Sequence, residues 1–305
     1  MKTCIAGALD YAHARSQFSH KLDEFAVVRE KIAAMASRCY ATESLAYLLA
    51  ANMDRGMEDF QLEAACGKIL ASENATFCAD ETLQIFGGIG YMNNLPYERM
   101  VRDVRIFRIF EGTNEILRQM IGLTGLQTLG KELEPLARAA AHPLTGLHTL
   151  LTWAPTLARD RLRLAPARAT GGGLSWAPPA LRGAAQAVED GAAAFAAAAR
   201  VLVMRHGKKV IEQQLHVAKI ADVVIDLTAA TAAIARATAA VAAKAPAADA
   251  EVALANLYAE DARIRIAANI AGVTGALKRR NALADDVAAK LIKAQAYTPE
   301  HPTGL

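Results

Sequence analysis

The chain has 305 residues, enough for two domains or one large one. Hydrophobic residues make up 53% and charged residues 21%, which excludes intrinsic disorder, and a net charge of +3 is too small to mark a nucleic-acid binder. Aromatics are only 6% and alanine runs such as Ala196 to Ala199 recur, so the composition predicts helices packed closely through small residues. No apolar run reaches the roughly 18 residues of a membrane span; the nearest, around Phe195, is broken by Arg200 and Arg205. Cys4, Cys39, Cys66 and Cys78 form no C-x-x-C pair and read as small buried hydrophobes in a reducing compartment.

The amino terminus shows no charged stretch followed by an apolar one, so no secretory signal is expected. Ile5, Leu9 and Ala12 lie at helical spacing from the start. Phe25, Val28, Ile32, Met35 and Cys39 predict a long helix from about Leu22 to Arg55, with Gly56 at its end. A second helix is expected from about Glu58 to Phe86, with Leu62, Ala65, Ile69 and Ser72 on one face. A turn at Gly87-Gly88-Ile89-Gly90 follows, and Pro96 opens a short helix to about Ile106. Thr113 suits the N-cap of a helix running to about Leu126. Residues 131–141 are weakly helical, and 166–179 are rich in Gly and Pro and read as a linker. Further helices are expected near 180–205, 209–244, 249–276 and 282–295, with Ile211, Leu215, Ala218 and Ile225 marking a core face on the second. The fold class is therefore all-α: an antiparallel helical bundle followed by a second helical bundle. The divisions are 1–127, a linker 128–180, and 181–305.

Two segments carry local chemical interest. Gln84-Ile85-Phe86-Gly87-Gly88-Ile89-Gly90 lets a backbone approach a ligand closely, although a helix C-cap needs the same glycines. It follows no strand, so a dinucleotide-binding reading fails its context. In the second, Glu111 lies between apolar residues and a glycine, just ahead of a helix start. Apolar surroundings raise a carboxyl pKa and a helix N-terminus lowers it, a balance that suits a general base. The alternative is a surface glutamate that favours the helix dipole. His13, His20, His142, His148, His216 and His301 show no ligand-like spacing, so no metal is expected.

Three stretches carry a resemblance: Arg15-Ser16-Gln17-Phe18, Gln84 to Gly88, and Phe110-Glu111-Gly112-Thr113-Asn114-Glu115. In order and separation they resemble the signatures of the carboxy-terminal helical domain of acyl-CoA dehydrogenases. Residues 206–228 resemble, more loosely, the carboxy-terminal extension of the very-long-chain branch. The resemblance implies FAD as cofactor, acyl-CoA as substrate, an electron-transferring flavoprotein as acceptor and a homodimer. It implies Glu111 as the base that takes the α-proton while a β-hydride goes to the flavin, giving a trans-2-enoyl-CoA. Gly112 then stands beside the substrate thioester, and Thr113, Asn114 and Glu115 contact flavin. Arg15, Gln17 and Phe18, with Gln84, Gly87 and Gly88, reach the flavin of the neighbouring subunit.

Family members have an amino-terminal helical domain and a middle β-domain that this sequence lacks, so a fragment of a longer enzyme is expected. The other reading is a non-catalytic assembly or binding module derived from such an enzyme. Residues 145–176 combine leucines and Trp153 with Arg159, Arg161, Arg163 and Arg168. They read as an interfacial helix that rests on a membrane or as a loop with its arginines in solvent, and the family comparison tips the choice to the membrane. The expected location is cytoplasmic, peripheral on the inner membrane.

Overall fold

A computed structural model describes residues 1–141, 152 and 174–297, with side chains described outside 128–141. The helices are α1 (Lys2–Ala14), α2 (Ala26–Asp54), α3 (Gln61–Phe86), α4 (Gly88–Tyr91), α5 (Tyr97–Arg105), α6 (Asn114–Ala141), α7 (Arg182–His206), α8 (Gln214–Ala242), α9 (Ala248–Thr274) and α10 (Lys278–Ala294). The sheet seen among the described residues is one small antiparallel hairpin, Ser16–Gln17 against His20–Lys21, so the all-α class holds. No helix of the described residues is long and apolar enough to cross a membrane. The expected membrane-surface segment 145–176 lies almost wholly outside the described residues, as does most of the expected linker.

Helices α2 and α3 contribute to both apolar clusters of the core. A smaller apolar cluster on one side joins Cys4, Ala8 and Ala12 of α1 to Met35 of α2 and Cys78, Ala79 and Ile85 of α3. The larger cluster on the other side runs from Tyr40, Leu45, Ile69 and Ile121 into α7, α8 and α9. Small residues dominate it: Ala229, Ala230, Ala232, Ala233 and Ala237 of α8 and Ala255, Ala259 and Ala262 of α9 are all buried. Packing is close enough that a Cβ added at Gly122 of α6 would lie 2.5 Å from the Val217 carbonyl oxygen of α8. All four cysteines are free and buried, and burial pushes the Cys66 and Cys78 thiols up to about 12.

Two local features differ from the sequence reading. Helix α6 continues to Ala141, through Gly130, because a single helical glycine costs only about 1 kcal/mol. The core face of α8 is as expected only in part: Ile225 is buried, whereas Ile211 and Leu215 are exposed and Val217, Ile220 and Ala221 are buried in their place. A 3-10 turn at Gly207–Glu212 precedes α8, so Ile211 is out of phase with the helix proper.

Ion pairs tie α2 to the carboxy-terminal helices. Arg236 of α8 meets Glu43 of α2 at 2.8 Å and Glu251 of α9 at 3.5 Å, and Tyr40 donates to Glu251 at 2.9 Å. Lys2 also pairs with Glu43. Hydrogen bonds from Lys2 and then Arg236 hold the Glu43 carboxyl below its ordinary value of 4.5, against burial. A depressed carboxyl contributes stability that is full above the unfolded value and lost as pH falls through the folded one. Thermal melts from about pH 6 down to about pH 3 should therefore show Arg236→Met losing less Tm on acidification than the parent. Equal slopes would mean that Glu43 gains nothing from Arg236.

Candidate active site

Helix α5 runs into a 3-10 turn at Ile106–Arg108, and the chain then reverses through Glu111 and Gly112. Both have positive φ, 55° and 87°. Glycine adopts this region freely, whereas a residue with a Cβ incurs about 1–2 kcal/mol, so Glu111 is held there by its surroundings. Its side chain is exposed. The approach to it is apolar and open: Ile106, Phe107, Ile109 and Phe110 are all exposed, with the Phe107 and Phe110 rings stacked at 5.7 Å. Thr113 caps α6 as its sequence position predicts, with Oγ1 accepting from the Ile116 N–H at 3.3 Å.

The turn is braced from α3. Lys68 Nζ donates to the Gly112 carbonyl at 2.7 Å and to Asn114 Oδ1 at 2.8 Å. Asn114 is fully buried, and its Nδ2 donates to Ser72 Oγ at 3.0 Å and Glu73 Oε1 at 3.1 Å. Its side chain is thus committed to α3. Burial lowers the Lys68 ammonium from its ordinary value, with Glu115, Glu73 and Glu111 opposing, so Lys68 stands in the field of the Glu111 carboxylate. The sequence reading missed Lys68, Ser72's polar role and Glu73. A polar Ser72 on an otherwise apolar α3 face was the one local signal.

The other expected site residues gather elsewhere. Tyr11 of α1 stacks on Phe86 of α3, with ring centroids 4.2 Å apart, so the end of α1 lies beside the end of α3. Arg15 and Gln17 are exposed there, and Phe18 sits at the hairpin tip with φ of 51° and 87% of its surface exposed. Gln84, Gly87 and Gly88 are exposed at the same end. Gly87 closes α3, its N–H reaching the Leu83 and Gln84 carbonyls, and does so with φ of 64° and ψ of −142°. Nothing lies within 4 Å of a Cβ placed at Gly87 or Gly88, so the backbone there is open to close approach. A guanidinium, two amides and open glycine backbone form a donor set that fits phosphate oxygens. Between this group and the Glu111 turn, the distance along α3 from Lys68 to Gln84 is about 24 Å at 1.5 Å per residue.

Comparison with known proteins gives the family. Residues 1–125 match the family described as acyl-CoA dehydrogenase, C-terminal domain, and residues 179–297 match ACAD9/ACADV, C-terminal domain. The chain belongs to the acyl-CoA dehydrogenase family. Within it, the chain falls with the very-long-chain enzymes. The very long-chain specific acyl-CoA dehydrogenase, mitochondrial, of Rattus norvegicus is 40% identical over 276 residues, covering 90% of this chain and 41% of the relative. The Homo sapiens counterpart is 38% identical with the same coverage. The crystal structure of an acyl-CoA dehydrogenase complexed with FAD from Bacillus anthracis superposes with a TM-score of 0.69 at 26% identity, over 98% of this chain and 50% of that one. The chain thus spans about two-fifths of the length of the curated relatives it matches.

Proposed function

We propose that this chain carries the catalytic base and part of the flavin-binding surface of an FAD-dependent acyl-CoA dehydrogenase. The observation behind the reading is the Glu111 turn: an exposed carboxylate at positive φ, braced by Lys68 and approached over exposed aromatic and aliphatic residues. Glu111 accepts the α-proton of the acyl thioester, and Gly112 stands beside that thioester. The exposed apolar residues that lead into the turn suit an acyl chain. When bound, FAD supplies the acceptor for the β-hydride.

Thr113, Asn114 and Glu115 would contact flavin, Asn114 through its backbone, since its side chain is engaged with α3. Arg15, Gln17, Phe18, Gln84, Gly87 and Gly88 serve the flavin of a second copy of the chain. The separation of about 24 Å along α3 supports this division, because one chain presents its two sets of residues at opposite parts of one rigid helix. An electron-transferring flavoprotein is the proposed acceptor.

Anaerobic addition of saturated acyl-CoA to the flavin-loaded holoenzyme should bleach the yellow flavin absorbance. Bound flavin that no acyl-CoA, from short to very long, can bleach would leave the assembly-module reading as the better one.

A further inference from the structure

Behind the Glu111 turn a polar chain runs through the bundle. Asn114 Nδ2 donates to Glu73 Oε1 at 3.1 Å. Arg118 pairs with both Glu73 oxygens, Nη1 to Oε1 at 2.8 Å and Nη2 to Oε2 at 3.0 Å. The same guanidinium donates through Nε to Asp222 Oδ1 at 2.7 Å. Asp222 lies on α8, so the last link comes from the carboxy-terminal helices, 104 residues from Arg118. The first link ends at Lys68, which holds the Gly112 carbonyl next to Glu111. Of these groups Glu73, Arg118 and Asp222 border a cavity of about 350 Å³ between the two halves, also lined by Asp226 and Arg265.

We infer that Asp222 is a positioning residue for the Glu111 turn, acting through Arg118, Glu73 and Asn114. A guanidinium shared by two carboxylates is planar and directional, so it fixes Glu73 only while Asp222 fixes the guanidinium. Glu73 then orients the Asn114 amide, whose oxygen takes the Lys68 ammonium that clamps Gly112. A turn that holds a non-glycine residue at positive φ needs such over-determination. The carboxy-terminal helices thereby bear on the reacting end of the molecule, in addition to filling its core. The catalytic part of the inference rests on the Glu111 reading; the structural part does not.

The test uses Asp222→Asn, Asn114→Ala and their double variant, with Asp226→Asn as a control in the same cavity. In the full chain, amide hydrogen exchange across residues 106–117 should quicken about tenfold in Asp222→Asn, the scale of one charge-assisted hydrogen bond. It should quicken no further when Asp222→Asn is added to Asn114→Ala, since the two act through one path. Asp226→Asn should leave that segment unchanged. Unchanged exchange in Asp222→Asn, or effects that multiply in the double variant, would overturn the inference. In the flavin-loaded holoenzyme kcat should fall by a similar factor with KM held, again without multiplying. Glu111→Gln run in parallel separates the two failures: near-parent turnover there refutes the base assignment, while the exchange data still decide the relay.

Discussion

Glu111→Gln in the flavin-loaded holoenzyme is expected to lose at least about 10²–10⁴ in kcat, the usual contribution of a general base, with flavin content unchanged. Glutamine keeps the size and the exposed position of the side chain but cannot accept the α-proton. Glu111→Gly should be equally inactive and yet slightly more stable. Glycine relieves the positive φ of 55°, worth about 1–2 kcal/mol, and gives back part of that through its greater freedom in the unfolded chain. The combination of lost turnover and a raised Tm would mark Glu111 as a residue kept for chemistry at a cost in stability. Near-parent turnover in Glu111→Gln with a full complement of flavin would show that another group takes the proton.

The largest effect on stability is expected from Arg265→Ala. Arg265 of α9 forms a bidentate pair with Asp226 of α8, at 2.7 and 3.1 Å, and Asp226 is 6% exposed. The guanidinium is partly open to solvent, so the loss is set by what remains: a buried carboxylate with one long contact, from the Tyr258 hydroxyl at 3.5 Å. Removing one partner of a buried pair costs about 3–5 kcal/mol, and the partial exposure of Arg265 places this case at the lower end. Burial already raises the Asp226 carboxyl above its ordinary value of 3.8, with Arg265 opposing. Without Arg265 it rises further. The folded state then binds a proton more readily than the unfolded one, so the deficit is full at neutral pH and shrinks as pH falls through the folded value. Chemical denaturation of parent and variant at about pH 7 and about pH 5 measures this. A deficit that is equal or larger at the lower pH would rule out an uncompensated Asp226, and adding Asp226→Asn to Arg265→Ala should restore part of the loss at neutral pH.

Much of the fold was legible because long amphipathic helices announce themselves by periodicity. Met35 and Cys39 on α2, and Ala65, Ile69 and Ser72 on α3, are buried as their spacing predicts. The hairpin at Ser16–Lys21 was not legible. Its strands are two residues each, and its turn places Phe18 and Ser19 at positive φ without the Gly or Asn that usually flags one. Local sequence also pointed to the Glu111 turn and its Thr113 cap. The groups that hold the turn were hidden for a different reason: Lys68 meets Gly112 across 44 residues and Arg118 meets Asp222 across 104. Such pairs follow from how helices cross, and no pattern within one helix records them.

Helix α3 acts as a ruler. Its amino-terminal half braces the Glu111 turn, and its carboxy-terminal end presents Gln84 and the glycines. One residue inserted between Lys68 and Gln84 would lengthen that spacing by about 1.5 Å and swing one end about 100° around the axis relative to the other. No side-chain repacking can undo such a rotation. Over this stretch, then, natural variation should exchange one residue for another far more readily than it adds or deletes one.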